Sequence, residues 1–405
     1  MLETGHFTSR ALLAGGAACL ALGLAVRALR GARSASGKRY VPSPRTTVLP
    51  RLSENERAAV PYLPDALPGA RSVQTPYGSI QVFEWGPEDG ERVLLLHGIG
   101  TPCLALGDLG EELVHNGYRV MLFDFFGRGF SDAPIDVTYD MRLYTTQILL
   151  VLASSPLPWT GDNGFHLVGY SLGGGIGASF SRYFPRMVRS LVCVGGGGLI
   201  RKCHVSRKSK LLYSTGLLPE WLLQALVKSR LKPKDTVTEQ TMVAEVTDLD
   251  TEDPRVQRLG GNDSTGGPSF DEAPISARWP GVTVSKVMSW QIQHHEGFVP
   301  AFMSTIRNAP IYEEVEEWAA LGKQLRRRRV ESGGQGVLPG LKGGKVLLIL
   351  GSSDPVILMD EIVPDTKAIL GDDAVEISII DAGHEVAIAQ GVEVAQTAMA
   401  YWRSI

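Results

Sequence analysis

Residues 165–174 read FHLVGYSLGG, and the reading of this stretch decides the fold. An apolar run, Phe165 to Val168, leads into Gly169-Tyr170-Ser171-Leu172-Gly173, a G-x-S-x-G match, and a helical stretch follows. Glycine is abundant, 46 of 405 residues, so roughly 0.3 such matches would arise by chance in a chain of this length. The setting supplies what the pattern lacks. Strand, sharp turn and helix in succession lift a serine hydroxyl above a sheet edge, and Gly169 and Gly173 leave room for that turn. Beyond it Gly173, Gly174, Gly175 and Gly177 stand where a helix should begin, each costing about 1 kcal/mol against alanine in a helix interior. Close packing of that helix on the sheet is the expected compensation.

Working outward, similar apolar runs recur at Val93 to Leu96, Val120 to Phe123, His166 to Gly169, Leu191 to Val194, Val346 to Leu350 and Val375 to Ile380. Bounded by Gly, Asp or His, they have the character of parallel strands buried on both faces. Helical patterns lie between them, at Leu104 to Asn116, Met141 to Ala153 and Gly175 to Phe184. Ser72 to Gly86 holds a Pro-Tyr-Gly turn between two β-rich runs, an antiparallel hairpin for a sheet edge. The expected class is α/β, a mostly parallel open sheet of about eight strands with helices on both faces. Ligands in such sheets bind at the carboxyl ends of the strands.

The candidate chemistry sits at those ends. A serine alone is a poor nucleophile and needs a base that an acid orients. In this topology the acid and then the histidine follow, each after a later strand. Asp354, in Gly351-Ser352-Ser353-Asp354-Pro355, follows the strand Lys345 to Leu350; His384, in Asp381-Ala382-Gly383-His384-Glu385, follows the last strand. His384 is the only histidine downstream of Asp354. A Ser171–Asp354–His384 triad is therefore expected, with Asp360 and Asp381 as reserve acids. The backbone N–H groups of Ile99 and Leu172 are the expected oxyanion donors. His97 and Gly98 support the first of these, and His97, which precedes the serine, is read as holding its loop rather than as a base.

These stretches together resemble the α/β-hydrolase fold in its single-domain serine hydrolase branch. The matching pieces are HGIGTP (97–102), YRVMLFDFFGRGFSDAP (118–134), FHLVGYSLGG (165–174), GSSDPVI (351–357) and DAGHEVAI (381–388), within residues 72–200 and 290–400. The turn Asp124 to Ser131 resembles the family's loop after the second parallel strand, a scaffold element. Residues 201–293 occupy the family's cap position. Within them Leu211 to Leu231 is leucine-rich and helical, and Thr247 to Gly281 is polar and loop-like, which suggests a lid over Ser171. The resemblance implies a serine hydrolase that cleaves esters of lipid-like or other apolar acyl groups, with thioester or C–C hydrolysis by the same residues as the alternative. A non-catalytic ligand receptor on the same scaffold is the reading from another class; such proteins tend to lack a triad member, and here all three are present. Serine at 171 excludes the relatives that need an aspartate nucleophile. No dissociable cofactor is implied, since neither a phosphate-cradling loop nor a dinucleotide fingerprint occurs. His294-His295-Glu296 is not read as a metal site, because neighbours on a helix point about 100° apart; one histidine is expected at the pocket rim and the other in water.

Forty basic against 43 acidic residues give a net charge of −3, which excludes a global nucleic-acid footprint. Lys323 to Lys345, with Arg326 to Arg329, reads as a solvated loop. Cys19, Cys103, Cys193 and Cys203 show no metal or disulfide spacing, so free thiols are expected. At the N-terminus, Ala11 to Val26 carries no charge over sixteen residues, and no acid occurs between Thr4 and Ser53. A membrane anchor with the body in the cytosol is the favoured reading, a mitochondrial presequence the alternative, and a secretory signal fits least well. The expected division is 1–40 as an anchoring or targeting segment, 41–71 as a linker, and 72–405 as the hydrolase domain carrying the cap 201–293. The expected partners are a small-molecule ester or lipid substrate and a membrane, with no nucleic acid.

Overall fold

In the computed structural model, which describes residues 39–205, 207–231, 267–331 and 339–405, the apolar runs become one eight-stranded sheet. Its strands are β1 (Ala70–Thr75), β2 (Gly78–Trp85), β3 (Arg92–Leu96), β4 (Arg119–Phe123), β5 (Phe165–Tyr170), β6 (Val188–Val194), β7 (Val346–Gly351) and β8 (Val375–Ile380). They lie in the order β8-β7-β6-β5-β3-β4-β2-β1. β1 with β2 and β2 with β4 are antiparallel; every other pairing is parallel. Each residue of β3, β5 and β7 is buried, as continuous apolar runs require when helices cover both faces. The chain divides into Met1–Tyr40 and Val41–Ile405, and the whole of this sheet belongs to the second unit.

The principal helices are α1 (Gly107–His115), α2 (Met141–Ala153), α3 (Leu172–Tyr183), α4 (Glu220–Leu231), α5 (Val284–His294), α6 (Phe298–Asn308), α7 (Val315–Glu331), α8 (Met359–Leu370) and α9 (Gly391–Ser404). α1 packs with α9, while α3 touches α2 and α7, and α7 touches α8. α3 begins directly after Ser171, three residues ahead of the expected start, and its glycines explain both the displacement and the compensation. A Cβ on Gly173 would lie 2.3 Å from the Leu96 carbonyl oxygen, and one on Gly174 2.6 Å from the Gly196 Cα. The helix approaches the sheet more closely than alanine permits. Register places Leu96 opposite Gly169, so the loops after β3 and β5 are neighbours at the carboxyl edge.

Several expectations are corrected. Lys323 to Glu331 is not loop but the last turns of α7; the arginines there are good helix formers, and Arg329 Nη1 donates to the Gly344 carbonyl at 2.5 Å. The stretch after Tyr40, read as linker, carries short helices at Pro44–Thr47 and Glu54–Ala58. It buries Leu49, Tyr62 and Leu67, apolar residues spaced too irregularly to show a period. The expected lid helix is two helices, Arg207–Leu212 and α4. α4 buries Leu223, Val227 and Leu231 and leaves Trp221 67% exposed. Most of the loop-like stretch from Thr247 lies outside the described residues.

The membrane-anchored, cytosol-facing placement drawn from Ala11 to Val26, with its mitochondrial alternative, does not stand. Among the described residues no helix is long and apolar enough to cross a membrane. The run itself lies outside those residues; its sixteen residues include three glycines, against roughly twenty apolar residues needed to span.

Candidate active site

Ser171 stands at the tip of the turn between β5 and α3 with φ 51° and ψ −117°, a conformation costly for any residue with a Cβ. Three backbone bonds hold it there: Ser171 N–H donates to Val194 O at 3.1 Å, and Gly174 and Gly197 N–H donate to Ser171 O at 2.9 and 2.8 Å. The turn is possible because its flanks lack side chains. A Cβ on Gly169 would meet the Gly173 carbonyl oxygen at 2.2 Å.

His384 Nε2 lies 3.1 Å from Ser171 Oγ, and His384 Nδ1 lies 2.9 Å from Asp354 Oδ2. A carboxylate only accepts, so Nδ1–H donates to Asp354 and a neutral ring offers Nε2 as acceptor to the serine hydroxyl. Asp354 is fixed in turn, its Oδ1 accepting from Val356 N–H at 2.8 Å and Ile357 N–H at 2.9 Å. Tyr170 O–H donates to the His384 carbonyl at 2.8 Å, and burial holds that phenol far above its ordinary pKa. The three residues, distant in sequence, meet at the carboxyl ends of β5, β7 and β8. The reserve acids stay apart: Asp360 and Asp381 are exposed, and Asp381 Oδ1 accepts from Ser352 Oγ at 3.0 Å.

The loop after β3 forms the opposite wall. His97 is buried; its Nδ1–H donates to Gly98 O at 2.7 Å and its Nε2 accepts from Phe125 N–H at 2.8 Å. Both ring nitrogens are thus committed, and burial pushes its pKa down to about 3. The Gly98 carbonyl and the Ile99 N–H share one trans peptide, so pinning the first aims the second to the opposite side. Leu172 N–H, at the first position of α3, has no intrahelical acceptor. These are the two groups expected as donors.

A pocket opens beside Ser171, lined by Ile99, Thr101, Phe270, Met288, Phe302 and His384 among others. Phe270, Met288 and Phe302 carry no motif and were not legible in the sequence. Phe270 belongs to the cap segment, and its ring centroid lies 6.0 Å from that of His384. Trp221 and Leu222 are absent from the lining. The histidine pair departs from expectation too. His295 does not reach the rim: it is buried, donating Nε2–H to Ser131 O at 2.9 Å and accepting from Gly297 N–H at 3.2 Å. Burial lowers its pKa to about 4. No cluster of three metal-type ligands occurs among the described residues.

Sheet order, a strained serine between strand and helix, and a histidine and a carboxylate delivered by the last two strands are the arrangement of the α/β-hydrolase fold. The sequence profile of the alpha/beta hydrolase fold family matches residues 91–389, well over half of the chain, and the chain belongs to that family. A serine hydrolase-like protein of Danio rerio is 31% identical over 126 residues, 31% of this chain and 37% of that protein. A serine hydrolase-like protein of Homo sapiens is 34% identical over 133 residues, 32% of this chain and 62% of that protein. Each alignment spans less than two thirds of the relative. Among solved structures, a membrane phospholipase A reported as a bacterial virulence factor aligns with TM-score 0.53 and 17% identity, over 95% of this chain and 98% of its own. A bromoperoxidase from Bacillus anthracis gives TM-score 0.50 and 16% identity, over 82% and 99%. At such identities the likeness is one of fold.

Proposed function

We propose that the protein hydrolyses carboxylic esters with apolar acyl groups through an acyl-serine intermediate. One observation carries this reading: the hydrogen-bonded line Asp354–His384–Ser171 ends at the foot of a pocket walled by Ile99, Phe270, Met288 and Phe302. Ser171 Oγ attacks the ester carbonyl while His384 Nε2 takes its proton; Asp354 holds the ring and stabilises the imidazolium. The carbonyl electrons move onto oxygen, which Ile99 and Leu172 N–H receive. Collapse expels the alcohol, protonated by His384, and water repeats the sequence on the acyl-serine. The serine hydrolase-like relatives are consistent with this chemistry.

The test is hydrolysis of p-nitrophenyl esters by wild type, Ser171→Ala, His384→Ala and the double variant. Each single substitution should lower kcat by several orders of magnitude, and the double should cost little more, since the residues act as a unit. Multiplicative losses, or a fully active Ser171→Ala, would overturn the assignment.

A further inference from the structure

Behind the loop after β3 lies a buried cation with no acid beside it among the described residues. Arg128 is 1% exposed, and its guanidinium donates to Ile99 O at 2.7 Å, Phe126 O at 3.3 Å and Thr305 Oγ1 at 3.1 Å. Among the described residues no carboxylate pairs with it; the faces of Phe298 and Phe302 lie 5.5 and 5.9 Å away. Burying an unpaired charge is among the most expensive arrangements available to a fold. Here the charge is directed at the peptide chain of Ile99. Gln291, fully buried on α5, is its neighbour in function: Nε2 donates to Gly100 O at 3.1 Å, and Oε1 accepts from Gly129 N–H at 2.7 Å.

Three successive carbonyls, of Gly98, Ile99 and Gly100, are therefore each gripped by a different buried side chain: His97, Arg128 and Gln291. Glycine on both sides of Ile99 would otherwise let these peptide planes turn freely. We propose that Arg128 and Gln291 are positioning residues for the oxyanion donor: they lock the Ile99 and Gly100 carbonyls, so that the Ile99 N–H stays aimed at the reacting oxygen, and the unpaired cation favours negative charge on that side. The inference rests on Ile99 serving as a donor in ester hydrolysis. It also gives α5, the last helix of the cap segment, a direct hold on the catalytic loop.

Arg128→Met tests it, because replacing an unpaired buried charge by an apolar side chain of similar length need not lower stability. Active sites are first counted by fluorophosphonate labelling taken to completion, so that misfolded protein drops out of the rate. Per labelled serine, kcat on a short p-nitrophenyl ester should fall on the order of 10²-fold, with KM nearly unchanged, as for the loss of an oxyanion contact. The inhibition constant of a trifluoromethyl ketone, whose adduct carries the oxyanion, should rise in the same proportion as kcat/KM falls; that of the matching alcohol should not move. Gln291→Met should show the same pattern more weakly. If Arg128→Met does not fold, Arg128→Lys, which keeps the charge and loses the fork, is read in the same way. An unchanged kcat per labelled site, or equal effects on ketone and alcohol, would overturn the proposal while leaving the hydrolase reading intact. A Ser171→Ala variant as active as wild type would overturn both.

Discussion

At Ser171 function and stability pull against each other. A side chain held at φ 51° and ψ −117° stores about 1–3 kcal/mol of strain, and glycine would release it at some cost in chain entropy. Ser171→Gly should therefore raise unfolding stability by about 1 kcal/mol while removing ester turnover, which urea titration and an ester assay together will check. The buried histidines make a second residue-scale case. His295, with a pKa near 4 in the fold against about 6.5 unfolded, takes up a proton in the unfolded chain first. Between those values stability therefore rises with pH, by about 1.4 kcal/mol per unit for each such group. It is lost as pH falls below about 6.5, and His97 acts in the same sense further down, to about 3. In His295→Asn, the slope of unfolding free energy between pH 4.5 and 6.5 should be smaller than in wild type by about that amount; an identical slope would contradict the assignment. Ser171, Asp354 and His384 were readable in the sequence because each follows an apolar run in a fixed order. Arg128, Gln291 and His295 were not, because their partners are mostly backbone groups, which leave no mark in the identity of any other residue.

Among the elements, α3 shows how a sequence that looks wrong for a helix makes one. Its glycines sit where the helix axis is forced against β3, β6 and the chain around Pro310. A Cβ on Gly175 would come within 2.0 Å of the Pro310 carbonyl oxygen, whereas one on Gly177 meets only the side-chain ends of Leu191 at 3.1 Å and Leu167 at 3.4 Å. Gly175→Ala should therefore destabilise by more than about 2 kcal/mol through overpacking. Gly177→Ala should stay within about 1 kcal/mol of wild type, helix propensity offsetting the tighter fit. Equal effects in urea unfolding would mean that propensity, not contact, governs this helix. The strands were legible as far as their apolar runs extend, since burial on both faces leaves no other composition open to them. The packed stretch around Leu49, Tyr62 and Leu67 was not, because three anchors among prolines carry no period. Nor was the helical state of Arg326 to Arg329, where a run of charge resembles a solvated loop.

For the molecule as a whole, protection should follow the sheet order. β3 and β5 lie inside, with neighbours on both sides, while β1 is half-exposed at one edge and β8 at the other. Hydrogen exchange read by mass spectrometry should leave peptides from Arg92–Leu96 and Phe165–Tyr170 protected longest and release those from Ala70–Thr75 early; the reverse ranking would contradict the strand order. The same order has a consequence in time. Ser171 and its histidine are 213 residues apart, and the strand that delivers the histidine is the last of the sheet to be made. At about 5–20 residues per second of synthesis, the nucleophile's turn leaves the ribosome roughly 10 to 40 s before an imidazole exists to activate it. A nascent chain, or one cut short by premature termination, thus carries its serine with the chemistry switched off until β8 closes the edge.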